Sequence, residues 1–145
     1  MAETLGMLCD KLTIVKLKQY HTDNEERLTS LYQQALQLQE EIDAYIADAI
    51  NGIIPPGKLT FAANKVFKKE GNETKEVSGN IGEIFSRLAD VNCRLWHEVE
   101  KGYDIENIPV EEKDNLVKML AVLNLERNKC IDAIDARFLN LIVAK

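Results

Sequence analysis

One arginine near the C-terminus stands where the sequence pattern requires an apolar side chain. From residue 109 to 145, apolar residues recur every three or four positions, as on one face of a helix, and Arg127 falls in the middle of that face. The apolar positions are Leu116, Leu120, Leu123, Cys130, Ile131, Ile134, Phe138 and Leu141. A guanidinium stays charged at any accessible pH, so an arginine in a core position needs polar partners. We therefore predict a polar cluster around Arg127.

The candidate partners of Arg127 come from three predicted helices. They are Asp10 of the first helix, Asn92 of the third, and Asn124, Asn128 and Asp135 of the last. Two interpretations remain open. A fork of donors flanked by amides can bind the carboxylate or phosphate of a small anionic ligand. The same groups can also satisfy one another in a buried network that fixes the register of the helices, and this interpretation is favoured.

Patterns for catalysis and metal binding are incomplete in this sequence. His97 is predicted on the solvent side of its helix, so no Ser/His/Asp or Cys/His set can be assembled. The Glu-x-x-His pattern of di-iron bundles is absent. We therefore predict no metal site, no cofactor and a non-enzymatic protein. The alternative is an enzyme or binder for a phosphorylated or carboxylated metabolite, with Arg127 as anion clamp and Asp132 or Asp135 in acid–base or metal roles.

Four long helices are predicted to position these residues. The first spans 3–21, and the second begins at a capping box formed by Asp23 and Glu26 and ends at Asn51-Gly52. The third spans 81–101, and the fourth spans 109–145. Short connections between them predict an all-α fold, an antiparallel four-helix bundle in one domain, 1–145. Residues 58–78 fit either a short extra helix or a hairpin between helices 2 and 3.

The first predicted helix is apolar on two opposite sides. Leu5, Leu8, Cys9, Leu12 and Val15 form one face, and Met7, Ile14 and Leu17 form the other. Such a helix needs cover on both sides. It lies either at the centre of the domain or against another subunit, so a homodimer or a protein partner is predicted.

Composition narrows the classes of partner and compartment. The net charge of −6, from 18 basic and 24 acidic residues, disfavours nucleic acid. The three cysteines have no C-x-x-C spacing and are predicted to be reduced thiols. No run of 18 apolar residues and no leader pattern occurs, so the prediction is a cytoplasmic protein without a membrane partner.

Two motifs resemble those of an uncharacterised bacterial all-helical family, a domain of unknown function. The first is N-x-x-x-W, at Asn92 and Trp96, and the second is L-N-x-E-R-N-x-x-I-D, at residues 123–132. Trp96 by itself is interpreted as a core residue rather than a ligand shelf. The resemblance implies a small helical cytoplasmic protein whose matching positions are Asn92, Trp96, Asn124, Arg127, Asn128, Asp132 and Asp135. It also implies a loose association of longer relatives with surface-polysaccharide genes, but no activity.

Overall fold

The computed structural model describes residues 3–61 and 77–144, and it confirms the predicted all-α bundle. The helices are α1 (Leu5–His21), α2 (Glu25–Ile50), α3 (Ile81–Gly102) and α4 (Val110–Val143). Short 3-10 helices occupy Pro56–Lys58 and Ile105–Asn107. Most of the segment 58–78, for which a short helix or a hairpin is predicted, lies outside the described residues.

The helix ends follow the local sequence, with one correction. The side chain of Asn24, not that of Asp23, caps α2, because its Oδ1 accepts from the backbone N–H of Arg27 at 2.9 Å. The predicted capping box was therefore wrong by one residue. At the other end of α2, Gly52 has a φ of 77°, as expected for a glycine that terminates a helix.

The first helix lies at the centre of the bundle and packs against all three other helices. It runs antiparallel to α4, because Gly6 contacts Asp135 while Asp10, further along α1, contacts Arg127. It runs parallel to α3, since Asn92 meets Asp10 and Trp96 meets His21. The central position, one of the two predicted for this helix, accounts for its apolar residues on opposite sides.

The apolar core is shared at one end of the bundle and divided at the other. Where α1 begins, one cluster joins all four helices through Leu5, Ala49, Ile84 and Ile134, among others. Further along α1 the core divides into two clusters. Val15 packs with α2 in one, and the other joins only α3 and α4. The two helix pairs therefore have separate cores at this end.

Near its C-terminal end, α4 turns a different side to the core from the one that its sequence pattern predicts. Phe138 is buried, but Leu141 is 63% exposed. The prediction that Leu141 belongs to the core was wrong, because Leu139 and Ile142, and not Leu141, pack against the shared core cluster at this end of the helix. None of the helices in the described ranges has an apolar stretch long enough to cross a bilayer.

Candidate functional site

A bidentate ion pair joins α1 to α4 at the point where the shared core divides. Arg127 Nε donates to Asp10 Oδ1 at 2.9 Å, and Nη2 donates to Oδ2 at 2.6 Å. This fork-to-fork geometry is the strongest arrangement of an arginine and a carboxylate. The hydrogen bond to Asp10 raises the pKa of Arg127 above its ordinary value, although partial burial opposes that shift.

Asn92 and Thr13 complete the surroundings of Asp10. The Asn92 amide nitrogen donates to Asp10 Oδ1 at 2.9 Å and to Thr13 Oγ1 at 2.8 Å. The Thr13 hydroxyl in turn donates to the Asp10 carbonyl at 2.7 Å. Asn92 is 1% exposed, and its carbonyl oxygen has no hydrogen-bond partner among the described residues. Side chains of α3 and α4 therefore converge on one carboxylate of α1.

Arg127 is only partly buried, although its position on the apolar face of α4 predicts a core residue. Its side chain is 31% exposed, and it borders a cavity of about 410 Å³ lined by α1, α2 and α4. Asp10, by contrast, is buried. The guanidinium thus has one edge on Asp10 and remains accessible from the cavity.

Asp135 forms a second, separate polar site nearer the beginning of α1. Its Oδ1 accepts from the backbone N–H of Gly6 at 2.7 Å, and its carboxylate is also hydrogen-bonded by the Thr4 side chain. Asp135 is 2% exposed and has no ion pair within the described part of the chain. Burial raises its pKa to about 6, although the bonds from Thr4 and Gly6 partly offset that shift.

The charge of Asp135 influences the buried Cys9 and the partly buried Tyr45. Burial, followed by the charge of Asp135, raises the pKa of Cys9 to about 11 and also raises the pKa of Tyr45. Gly6 makes this close packing possible. A Cβ atom there would collide with the Ile131 carbonyl oxygen and lie 2.9 Å from Asp135 Oδ1. The site is thus sealed by direct contact between α1 and α4.

The other predicted members lie apart from the Arg127 cluster. Asn128 donates to the carbonyl of Asn124 in its own helix at 2.8 Å, and no bond links either residue to Arg127 in the described structure. The structure therefore brings together Asp10, Asn92 and Arg127. It places Asp135 in a different site and leaves Asn124 and Asn128 on their own helix.

Trp96 lies beyond the ion pair, beside the end of α1. It is only partly buried, unlike the core residue predicted, and its ring stacks on that of His21 with centroids 4.8 Å apart and planes 24° apart. Its indole N–H donates to Glu100. His21 Nδ1 lies 2.8 Å from the Leu17 carbonyl one turn earlier in α1, so that nitrogen carries the proton of the hydrogen bond.

Two adjoining cavities form a cleft along α1 and α2, to which α4 contributes Arg127 and α3 contributes Trp96. The one beside Arg127 shares Lys18 and Gln34 with another of about 470 Å³ at the α1–α2 turn. We call both together the polar cleft. The charged and aromatic side chains that line it, with Gln34, are those of Asp10, Lys11, Lys18, His21, Arg27, Glu41, Trp96 and Arg127. Four of these are cations and two are carboxylates, in a chain whose net charge is −6. Lys11 is paired with Glu3 and Arg127 with Asp10, so Lys18 and Arg27 are the cations of the cleft that have no ion pair among the described residues.

Comparison with known proteins gives no match. No protein-family model matches the chain, and neither does any curated protein or solved structure. The resemblance to a bacterial family of unknown function stays a prediction. Within residues 3–61 and 77–144, no three histidine, cysteine or acidic side chains are grouped as a metal ion would require.

Several residues of these sites were missed by sequence reasoning, although signals for them exist. Gly6 interrupts an apolar helix face, which is costly unless another backbone approaches there. Thr13 stands one helical turn after Asp10, on the same face. Lys18 and Arg27 flank the turn between α1 and α2, where antiparallel helices bring them together. The charges of Lys18 and Arg27, and their positions on either side of the turn, therefore indicate the cleft more directly than Asn124 and Asn128 of α4 do.

Proposed function

We propose that this chain is a non-enzymatic binding module that takes a small phosphorylated or carboxylated molecule into the polar cleft. The observation that carries the proposal is the presence of Lys18 and Arg27 in the cleft, without an ion pair among the described residues, in a chain whose net charge is −6. Lys18 has the central place, because it borders both cavities. A concave site lined by apolar side chains and a few convergent polar groups is typical of small-molecule binding.

Arg127 supports binding in this proposal rather than catalysis. Asp10 occupies its Nε and Nη2, which fixes the orientation of the guanidinium and offsets its charge. The accessible remainder borders the cavity and adds a donor for an anion. Because Asp10 already balances the charge of Arg127 and accepts its hydrogen bonds, the guanidinium does not need a ligand as its partner. We therefore expect the cleft to form whether or not a ligand is bound.

The alternative of an enzyme has less support from the geometry. It requires Asp132 or Asp135 to act near an anion held by Arg127, and Asp132 does not line the polar cleft. For Asp135 the distance along the helix is also too great. Arg127 and Asp135 are about two helical turns apart on α4, roughly 12 Å along the axis. Asp135 is also buried against Gly6 and does not line the polar cleft. A group that cannot reach the ligand cannot transfer a proton to it.

The proposal is tested by isothermal titration calorimetry with inorganic pyrophosphate at low ionic strength. We expect binding that weakens as salt is added, because the cations of the site are exposed. Lys18→Gln and Arg27→Gln should each weaken binding about fivefold, a change of ~1 kcal/mol. Lys118→Gln is the matched control, since it removes the same charge from an exposed position of α4 outside the cleft.

Two results would contradict an anion site in the polar cleft. One is the absence of any heat of binding at millimolar pyrophosphate. The other is an equal loss of affinity in Lys18→Gln and Lys118→Gln, which would mean that only the net charge of the chain matters. In either case the cations of the cleft have no ligand of this class.

Self-association and a link to surface-polysaccharide metabolism stay predictions beside this proposal. The two apolar sides of α1, which motivated a dimer, are largely used within the chain, although Leu17, Tyr20 and Phe85 border an open apolar groove. Light scattering after size exclusion measures the oligomer, and a monomer of 16.4 kDa would exclude the dimer. Sugar phosphates are anions of the proposed class, so they are natural further probes.

A further inference from the structure

Trp96 and His21 form an aromatic wall at the end of the polar cleft where α1 meets α2. Both rings border the cavity of about 470 Å³. Their orientation is fixed from both sides, because Glu100 accepts from the Trp96 indole and the Leu17 carbonyl accepts from His21. The rings stack on each other, so the wall is rigid before any ligand arrives.

Cations and hydroxyls of the same cavity complement this wall. Lys18 and Arg27 contribute positive charge, while Thr22 and Ser30 contribute hydroxyl groups. Two cations match the charge of one phosphate dianion, and hydroxyls can bond its remaining oxygens. The cavity therefore combines an aromatic surface with a place for a single anionic group.

We infer that the ligand of the polar cleft carries a planar ring joined to one phosphate-like group, the class that nucleoside monophosphates represent. This inference rests on the proposed anion binding and adds the ring to it. The ring of the ligand extends the stack of Trp96 and His21 on one of its outer faces, and the anion lies between Lys18 and Arg27. A cavity of about 470 Å³ is within the size range of small-molecule sites.

The experiment compares AMP with ribose 5-phosphate, which carries the same anionic group without the ring. We expect AMP to bind about tenfold more tightly, as base stacking on aromatic side chains commonly gives. The chain has one tryptophan, so fluorescence excited where tyrosine does not absorb reports on Trp96 alone. AMP should change that fluorescence, and ribose 5-phosphate should change it much less.

Two substitutions test the aromatic wall. Trp96→Leu, followed by calorimetry, should bring the ratio of the AMP and ribose 5-phosphate affinities close to one. His21→Ala removes an exposed ring and should lower the same ratio, which keeps the test valid if Trp96→Leu does not fold. Tyr103→Leu is the control, because Tyr103 is 86% exposed and borders none of these cavities.

The outcomes separate this inference from the proposed function. Equal affinities for AMP and ribose 5-phosphate in the unmodified protein would overturn the aromatic site and leave anion binding intact. A ratio unchanged by Trp96→Leu and His21→Ala would do the same. Failure of AMP, ribose 5-phosphate and pyrophosphate alike to bind would overturn both.

Discussion

Asp10 and Asp135 are both buried carboxylates between α1 and α4, but they are satisfied in different ways. Asp10 forms a bidentate pair with Arg127 and receives a further bond from Asn92. Asp135 receives bonds from the Gly6 backbone and the Thr4 hydroxyl, both of which are neutral. Burial raises the pKa of Asp135 to about 6, because neutral donors do not fully repay the loss of water.

The difference between these carboxylates follows the division of the core. Asp135 belongs to the end where four helices share one cluster, and Gly6 lets α1 and α4 touch there. Asp10 lies where the helix pairs separate and a cavity reaches Arg127. The contact between α1 and α4 is thus open to a cavity at the ion pair of Asp10 and Arg127, and we call this the open part. It is closed where Asp135 accepts from neutral donors beside Gly6, and we call this the closed part. We expect the closed part to control stability and the open part to control binding.

The largest effect is expected from closing the space that Gly6 leaves open. A Cβ in Gly6→Ala meets the Ile131 carbonyl and Asp135 Oδ1, so α1 must move away from α4. We expect a loss of about 3 kcal/mol in the free energy of unfolding, from overpacking and a weakened bond to Asp135. Urea unfolding followed by circular dichroism measures it.

Gly82→Ala is the matched control for Gly6→Ala. Gly82 is also helical, but nothing lies within 4 Å of a Cβ placed there. We expect this change to stabilise the protein by roughly 0.5 kcal/mol, because alanine loses less backbone entropy. If both substitutions have the same small effect, α1 and α4 are not in direct contact at Gly6.

Breaking the ion pair should have the next largest effect. Asp10→Ala leaves Arg127 and the Asn92 amide without their acceptor, and it should cost about 2 kcal/mol in urea unfolding. The cost is below that of a sealed pair because Arg127 is already 31% exposed and can turn to water. The exposed pair of Lys101 and Glu98 is the control, and Lys101→Ala should cost under ~0.5 kcal/mol.

A double substitution sharpens this prediction. Asp10→Ala together with Arg127→Met removes the unpaired charge as well as the pair, so part of the lost stability should return. Strictly additive effects of the two single changes would mean that the pair contributes nothing as a pair. Pyrophosphate binding by Asp10→Ala, if it folds, should not fall, because the guanidinium is freed.

Asp135→Asn should produce a smaller effect of the opposite sign. The asparagine keeps an acceptor for Gly6 without the desolvated charge, so the variant should be more stable by roughly 1–2 kcal/mol at pH 8. The folded pKa of Asp135 is about 6, above its ordinary value of 3.8. Its contribution to stability therefore rises as the pH falls from above 6 towards 4, since the folded state binds the proton first.

The measurement for Asp135→Asn is urea unfolding at pH 8, 7, 6 and 5. The stability advantage of the variant over the unmodified protein should shrink as the pH falls through about 6. Taking the difference between the two proteins removes the contributions of the other carboxylates. An advantage that stays constant across this range would contradict the raised pKa.

The helices were predictable from the sequence, but the grouping of polar residues was predictable only in part. The 3.6-residue period and the glycine and proline boundaries define α2 and α4 closely, because these signals are local. Asp10 was one of five candidate partners predicted for Arg127, and it is the carboxylate that the structure pairs with Arg127. Asp135 lies on the same helix as Arg127, yet its partners are a backbone N–H and a hydroxyl, which carry no charge signal in a sequence.

The smallest effect is expected at Asn128, which the sequence pattern grouped with Asn92 as a candidate partner of Arg127. Among the described residues, the Asn128 side chain bonds only to the Asn124 carbonyl of its own helix. Asn128→Ala should therefore change stability by less than ~0.5 kcal/mol, because the better helix propensity of alanine offsets the lost bond. Asn92 is buried and donates to Asp10 and Thr13, so Asn92→Ala should cost roughly 1–2 kcal/mol. Urea unfolding of the two variants in one buffer makes the comparison. Equal losses would mean that Asn128 also takes part in the cluster around Arg127. A loss in Asn92→Ala alone would restrict that cluster to the side chains that bond Asp10.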